Sequence, residues 1–471
     1  FIAVLFRAYQ AGREIYNRQQ GINQSAVCCA WFDEFKQKSA TCAMLKEFET
    51  VHQKFVQQRA EKLRDAPVRR KAQIMSLPPL KKIENQLFDA ATLAEYLVQQ
   101  AIALHQVHSE YDSVTQKQIS FGLIRFANIK PMIPLAKQLF QLEIKPQWQD
   151  YQIHLCCYHS KQLLILRSKL EEKLDRILNR TDSKNAFSQS EVMAALTQSQ
   201  AKNQLFIVLG SPATEVGRDH DYDWAIVDPS SMRSIIQLAG RVWRHRPDKI
   251  AEQPNIALLP SNWRGLAGQP GGIFNKPGFE DAQHPLETHR TEELIPPDQL
   301  ERIDSIPRLI KREDFRPHFC LADLEHQATA DLLNNPNINC VNAYWQNDLS
   351  NRFTANLPLM TRFRKSRAQR NIVCLLDEDG APYFRVQERA WETLDNPQDA
   401  LPEFRYQALN VKNDFVKTWL DMPLPLALSE LAENLREESL LFTALKYATV
   451  ALDESAGQWC FNETLGFWRE D

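Results

Sequence analysis

No glycine of this chain is followed by lysine, so the Gly-Lys-Ser/Thr ending of a phosphate-cradling P-loop is missing from it. None of its nine cysteines stands in a Cys-x-x-Cys arrangement, and two pairs, Cys28/Cys29 and Cys156/Cys157, sit side by side inside apolar runs. The usual zinc spacing is therefore excluded and the odd count argues against a disulfide framework, so no metal site is expected and a reducing cytoplasm is the expected compartment. Long apolar runs are absent as well. The opening "FIAVLF" is six residues against the ~20 that cross a bilayer, so neither a membrane span nor a signal peptide is expected. Nor is there an excess of positive charge. With 56 Lys and Arg against 59 Asp and Glu the net charge is −3, so a nucleic-acid site has to be a local groove rather than a global field. There is no internal repeat and no low-complexity tract.

What is there reads as an ordinary globular composition, 44% hydrophobic and 24% charged, in a chain of 471 residues that is long enough for two or three domains. It opens at Phe1 rather than Met, inside an apolar helical pattern, and is expected to be a piece of something longer. Residues 1–118 alternate helical periodicity with polar joints and suggest a helical arm leading into a sheet domain. From 119 to 262 the short apolar runs "ISFGLIRF", "IHLCCY", "LFIVLG", "WAIV" and "IALLP" alternate with amphipathic helices near 132–141, 161–179 and 231–243. Such a pattern predicts a parallel sheet covered on both faces. Residues 263–336 are rich in proline and glycine and read as a linker with short helices. The remainder, 337–471, reads as a small accessory domain with a hairpin in "NIVCLLDEDGAPYFRVQ" and helices near 426–437 and 439–449.

The densest chemistry lies in "GSPATEVGRDHDYDWAIVDPSSMRSIIQLAGRVWRHR", residues 210–246, with four arginines in its last fourteen positions. Ser230 and Ser231 can cap a helix that buries Met232, Ile235, Ala239 and Val242, which leaves Gln237, Arg241 and Arg244 at i, i+4 and i+7 on another face. A glutamine and two guanidinium forks suit a polyphosphate, although arginines also gather at helix ends to complement the dipole. The loop "SPATEVGRD" follows an apolar strand, and ligands of open parallel sheets sit beyond the carboxyl ends of the strands. In it Gly217 lets backbone approach a ligand, Asp219 can accept from a ribose hydroxyl or orient an arginine, and Ser211 can meet a phosphate.

These strings resemble motif V ("SPATEVGRD") and motif VI ("QLAGRVWRHR") of the second RecA-like domain of superfamily-two helicases. More narrowly, "EVGRDHDYDW" and "RVWRHR" resemble the helicase-nuclease of type I CRISPR interference, closest to its type I-F form. "SFGLIRFANIKP" looks like motif IV, and "CYHS" and "PGFE" extend the similarity to 280. The resemblance implies a RecA-like α/β fold with Arg241 and Arg244 as arginine fingers and Gln237 as a nucleotide-sensing side chain. Gly217 and Asp219 would face the nucleotide, while Ser211, Arg125, Asn128 and His159 would lie towards a nucleic-acid strand. It further implies ATP and magnesium bound together with a first RecA-like domain, and a divalent metal in a nuclease domain, neither of which is in this chain. The implied partners are single-stranded DNA and the RNA-guided type I surveillance complex, with CRISPR adaptation proteins as a further candidate. Two departures stand out: Leu238 replaces the arginine that often follows the motif VI glutamine, and Ser211 stands where threonine is commoner.

Several strings imitate other sites. "AVCCAWFDEF" mimics a Walker B strand ending in Asp33-Glu34, with "SAT" at 39–41 mimicking helicase motif III, yet the P-loop is missing and a strand, its loop and a returning element are not expected to fit between Glu34 and Ser39. "DHD" at 219–221 and the pair His105 and His108 contain metal-ligand types without a third ligand. "TRFRKSRAQR", with Arg362, Phe363 and Arg364, offers charge and stacking to single-stranded DNA, or a face for an acidic protein. Two other functions remain open on sequence: a different superfamily-two helicase or restriction translocase, and a protein-docking module whose helicase half is degenerate.

Overall fold

The computed structural model describes residues 2–34, 36–80, 87–182, 185–215, 217–334, 368–387, 401, 403–412, 414–437, 439–454 and 457–469. Its centre is an eight-stranded sheet. In chain order the strands are β1 (Ala72–Ile74), β2 (Glu110–Asp112), β3 (Lys117–Arg125), β4 (Tyr151–Tyr158), β5 (Asn203–Gly210), β6 (Trp224–Val227), β7 (Ile256–Leu258) and β8 (Val416–Thr418). The spatial order is β8-β4-β5-β3-β6-β7-β1, with every neighbouring pair parallel; β2 alone runs antiparallel, on β3. The five apolar runs thus lie side by side as β3 to β7, and each edge is finished by a three-residue strand taken from outside 119–262.

Alternation along these strands divides the core into two layers. Phe121, Leu123, Tyr158, Phe206, Val208 and Ala225 face one layer, packed with side chains of helices Leu164–Ile177, Ser190–Gln198, Met232–Ala239 and Leu321–Asn334. Ile124, Leu155, Leu205, Ile207, Leu209 and Ile226 face the other, under helices Ala90–His108 and Met132–Gln141. Asp89 starts the first of these by accepting from the Thr92 N–H at 3.0 Å. Gly122 is required on β3, because a Cβ there would overlap the buried Trp224 indole. That indole donates to the Ser120 Oγ at 3.0 Å, and His105 Nδ1 lies 2.8 Å from the same hydroxyl. His108 turns elsewhere, its Nε2 2.9 Å from the Pro254 carbonyl. The two histidines are core hydrogen-bonding groups with separate partners.

The arm is more than helical. Between helices Ile2–Gln20 and Leu45–Asp65 lies an antiparallel hairpin, Val27–Phe32 with Gln37–Cys42, which buries Cys29, Trp31 and Cys42 against Phe48 and Phe55. A returning strand does fit after Glu34, contrary to the spacing argument, because the chain reverses in a tight turn in which the Asp33 N–H donates to the Lys36 carbonyl at 3.0 Å. Asp33-Glu34 sits in that turn, where Glu34 pairs with Arg59.

The stretch 263–336, expected as a linker with short helices, carries four of them and then Leu321–Asn334. Its apolar residues Ile273, Phe274, Leu294 and Ile295 are buried in the same layer as Met232 and Ile235, so it covers the sheet. Beyond it, the hairpin Gln369–Leu376 with Pro382–Val386 and the helices Leu424–Leu435 and Leu440–Tyr447 appear where the pattern placed them. They enclose a core around Phe384, Trp459, Phe461 and Phe467 that also takes in Leu163, Ile165 and Leu166.

Candidate nucleotide-facing site

Beyond β5 the chain makes a short 3-10 turn, Pro212–Thr214, whose cap is Ser211; the serine is buried, its Oγ 3.4 Å from the Ala213 N–H. Glu215 follows, then Gly217 at φ +71° with open space around it, a left-handed position that glycine adopts without penalty. The three aspartates of "DHDYD" then separate. Asp219 is exposed and pairs with Arg244, with its other oxygen 3.2 Å from His245 Nε2. Asp221 and Asp223 are wholly buried.

Those two carboxylates belong to a closed ionic cluster. Arg246 donates to both oxygens of Asp221, from Nη2 at 2.7 Å and Nε at 3.0 Å, and its Nη1 reaches Asp223 at 2.6 Å and Glu110 at 2.9 Å. Arg180 bridges the same two acids, 2.6 Å to Asp223 and 2.9 Å to Glu110. Burial opposes charge on Asp223, but Arg180 and Arg246 outweigh it and hold the carboxyl well below the usual range. Asp223 also accepts from the Phe121 N–H at 2.7 Å, which ties the cluster to β3. Of the "DHD" string, Asp221 is therefore held in an ion-pair network, while Asp219 pairs separately with Arg244. His220, between the acids, is buried with its Nε2 2.8 Å from Asp175.

The helix that follows starts at Ser231, whose Oγ accepts from the Ser234 N–H at 3.2 Å, and runs only from Met232 to Ala239. It ends at Gly240, and Trp243 at φ +50° turns the chain out of the helical path. Gln237, Arg241 and Arg244 consequently do not share one helix face: Gln237 is exposed on the last turn, and both arginines stand on the turn 241–246 beyond it. That turn lies alongside Tyr222, with the Tyr222 N–H donating to the Arg241 carbonyl at 2.8 Å and the Trp243 N–H to the Tyr222 carbonyl at 3.0 Å.

On it the two arginines differ. Arg244 is largely exposed and is oriented by Asp219, which it holds below the usual carboxylate range. The Arg241 guanidinium is buried, gives one bond from Nη2 to the Glu215 carbonyl at 2.6 Å, and leaves Nε and Nη1 without a partner among the described residues. Burial, then the charge of Arg244, lowers its pKa from the ordinary arginine value. A buried guanidinium with two idle N–H groups is costly unless an anion meets it.

The residues expected towards a nucleic-acid strand sit differently. Arg125 is 1% exposed: it is ion-paired with Glu215, donates to the Asp228 carbonyl at 2.9 Å and contacts the hydroxyls of Ser230 and Ser234. It joins the end of β3 to the loop and to the helix start, so its charge is not offered to a ligand. His159 is completely buried, accepting at Nδ1 from the Lys161 N–H at 3.1 Å and donating from Nε2 to the Leu465 carbonyl at 3.0 Å. Burial brings its pKa down to about 4, so it is a neutral clamp on the C-terminal strands. Asn128 is half-buried, receives the Trp263 indole N–H at 2.9 Å and donates to the Lys276 carbonyl at 2.9 Å. Strand-end position predicted where these residues would be, but their polar atoms are engaged by segments far away in sequence. Arg362, Phe363 and Arg364 lie outside the described residues.

Sequence reasoning missed Glu215, the joint between Arg125 and Arg241, and the pair Arg69 and Arg70, which bind the carbonyls of the turn. The only trace of the latter is the basic string "PVRRK" at 67–71.

Residues 116–247 match the family model for the C-terminal part of the CRISPR-associated nuclease/helicase Cas3. Over 475 aligned residues the chain is 37% identical to the CRISPR-associated nuclease/helicase Cas3 of subtype I-F/YPEST from Pseudomonas aeruginosa, covering 98% of this chain and 42% of that protein. The chain is thus similar to the C-terminal part of Cas3. The Cas3 of the same subtype from Pectobacterium atrosepticum is 34% identical over 400 residues, covering 82% of this chain and 36% of the relative. The chain thus spans less than half the length of either Cas3. Among solved structures, T. fusca Cas3 with AMPPNP aligns to 83% of this chain and 36% of its own at 13% identity, with a TM-score of 0.37, a likeness too slight to weigh. No helix among the described residues is long and apolar enough to cross a membrane.

Proposed function

We propose that this chain supplies the arginine side of the ATP site in a Cas3 helicase-nuclease, which draws on ATP to pull and degrade single-stranded DNA delivered by an RNA-guided type I surveillance complex. The observation that carries this reading is the buried Arg241 guanidinium, whose Nε and Nη1 have no partner among the described residues, beside Arg244, which Asp219 orients. Both can donate to the negative charge that grows on a departing γ-phosphate, and Gly217 leaves room for the backbone of the loop to approach the nucleotide. No P-loop is present to grip the phosphates, so that part has to come from another domain. Magnesium is different: Asp221 and Asp223 are occupied by Arg246 and Arg180, so these residues do not fit the ion and no step here runs through it.

The test is ATP turnover of the complete protein carrying Arg241→Ala. Turnover is expected to fall roughly 10³-fold or more, with folding and single-stranded DNA affinity preserved, because a finger arginine acts on transition-state charge. Turnover within a factor of about two of the parent would overturn the reading.

A further inference from the structure

The turn 241–246 has an unusual difficulty. It leaves the helix at Gly240, so the carbonyls of Val242 and Trp243 have no helical partner ahead of them and that of Arg246 has only the Lys249 N–H at 3.3 Å, yet the turn must hold Arg241 in one place. The donors come from the arm. Arg70 Nε donates to the Val242 carbonyl at 3.1 Å, and Arg69 Nη2 donates to the Trp243 carbonyl and, at 3.2 Å, to that of Arg246. Residues 68–71 are themselves fixed from several sides. The Ala251 N–H donates to the Val68 carbonyl at 2.8 Å, and the Ile303 N–H donates to that of Arg70 at 3.0 Å. The fully buried Asn255 receives the Lys71 N–H at 3.2 Å and donates to the Arg69 carbonyl at 2.9 Å. From there the chain enters β1 at the edge of the sheet.

The geometry points to Arg69 and Arg70 as positioning residues for the nucleotide-facing turn: they act through its carbonyls to keep Arg241 aimed, and the arm is in this sense a working part of the site. The inference rests on the reading of Arg241 proposed above. Both residues lie outside the stretch 116–247 matched by the family model. Their place is taken up by backbone contacts rather than by ligand, so their loss is expected to slow the chemical step without weakening nucleotide binding, since only transition-state contacts are displaced.

The experiment uses the complete protein and a double-mutant cycle. Arg70→Ala is expected to lower kcat for ATP about 10- to 100-fold, as small misplacements of a catalytic group do, with KM unchanged within about twofold. Added to Arg241→Ala, it is expected to cause no further loss in single-turnover measurements, because the group it positions is already gone. If Arg70→Ala does not fold, Arg69→Ala, which removes only the bonds to Trp243 and Arg246, takes its place with the same expectation. Full additivity in the double variant, or a KM increase at unchanged kcat, overturns the inference. Normal turnover in both arm variants while Arg241→Ala is inactive overturns it alone, whereas an active Arg241→Ala protein removes the reading of the site and this inference with it.

Discussion

Within one short stretch, two arginines meet with opposite outcomes. Arg246 has every nitrogen of its guanidinium bonded to Asp221, Asp223 or Glu110, while Arg241, five residues earlier, is buried with Nε and Nη1 lacking a partner among the described residues. The residue type is the same and the sequence distance is small. What distinguishes the two is the hydrogen-bonding capacity left over after folding, and that quantity is not written in the motif. The same test demotes Arg125, whose guanidinium is fully engaged although it stands at the carboxyl end of a strand, where ligands of such sheets gather.

The sharpest way to break this comparison is to open the closed cluster. Asp223→Ala leaves Arg180 and Arg246 buried with too little negative charge and is expected to cost about 3–5 kcal/mol, read as a large fall in urea midpoint. Arg241→Ala removes idle donors and should leave that midpoint close to the parent. Equal losses for the two would erase the distinction.

A smaller effect separates a buried clamp from a ligand contact. His159 has a folded pKa of about 4 against an ordinary 6.5, so the folded state binds fewer protons than the unfolded state between these values. Stability from this group is intact above pH 6.5 and declines as pH falls towards 4. Between pH 7 and 5 the loss it causes is about 2 kcal/mol, and His159→Gln should flatten the acid side of the stability profile by that amount while leaving single-stranded DNA affinity unchanged. A profile of unaltered slope, or a loss of DNA binding, would count against the clamp.

The smallest expected effect is at the rim. Asp219 and Arg244 are both substantially exposed, so Asp219→Asn should change stability by no more than about 1 kcal/mol. It should nonetheless reduce ATP turnover several-fold through loss of aim in Arg244, and full activity at unchanged KM would show that Arg244 needs no orienting partner.

Much of the sheet was legible before any coordinates, for a physical reason. Strands buried on both faces read as continuous apolar runs, and β3 to β7 do so. Three-residue edge strands carry no such signal: nothing in "AQI" or "VKT" announces β1 or β8. The cover formed by 263–336 hid its buried Phe274 and Leu294 among prolines and glycines, too sparse for a period. At the site, the loop with Gly217 and Asp219 and the capped helix were visible locally, but helical spacing was carried one turn too far, past Gly240. Whether a polar side chain is free depends on partners such as Leu465 for His159, or Val242 for Arg70, that lie 306 and 172 residues away. No local pattern encodes those distances.

The edge strand β8 has a consequence for how this protein comes into being. Val416 pairs with Ile153, so β4 stays an open edge until more than two hundred further residues have left the ribosome. An uncovered strand of buried apolar residues with free backbone donors and acceptors is a template for wrong pairing. Closing it requires a contact of very long sequence separation, which is slow to find. During synthesis, then, the hazard sits on the β4 side of the sheet, and the tail that follows is what retires it.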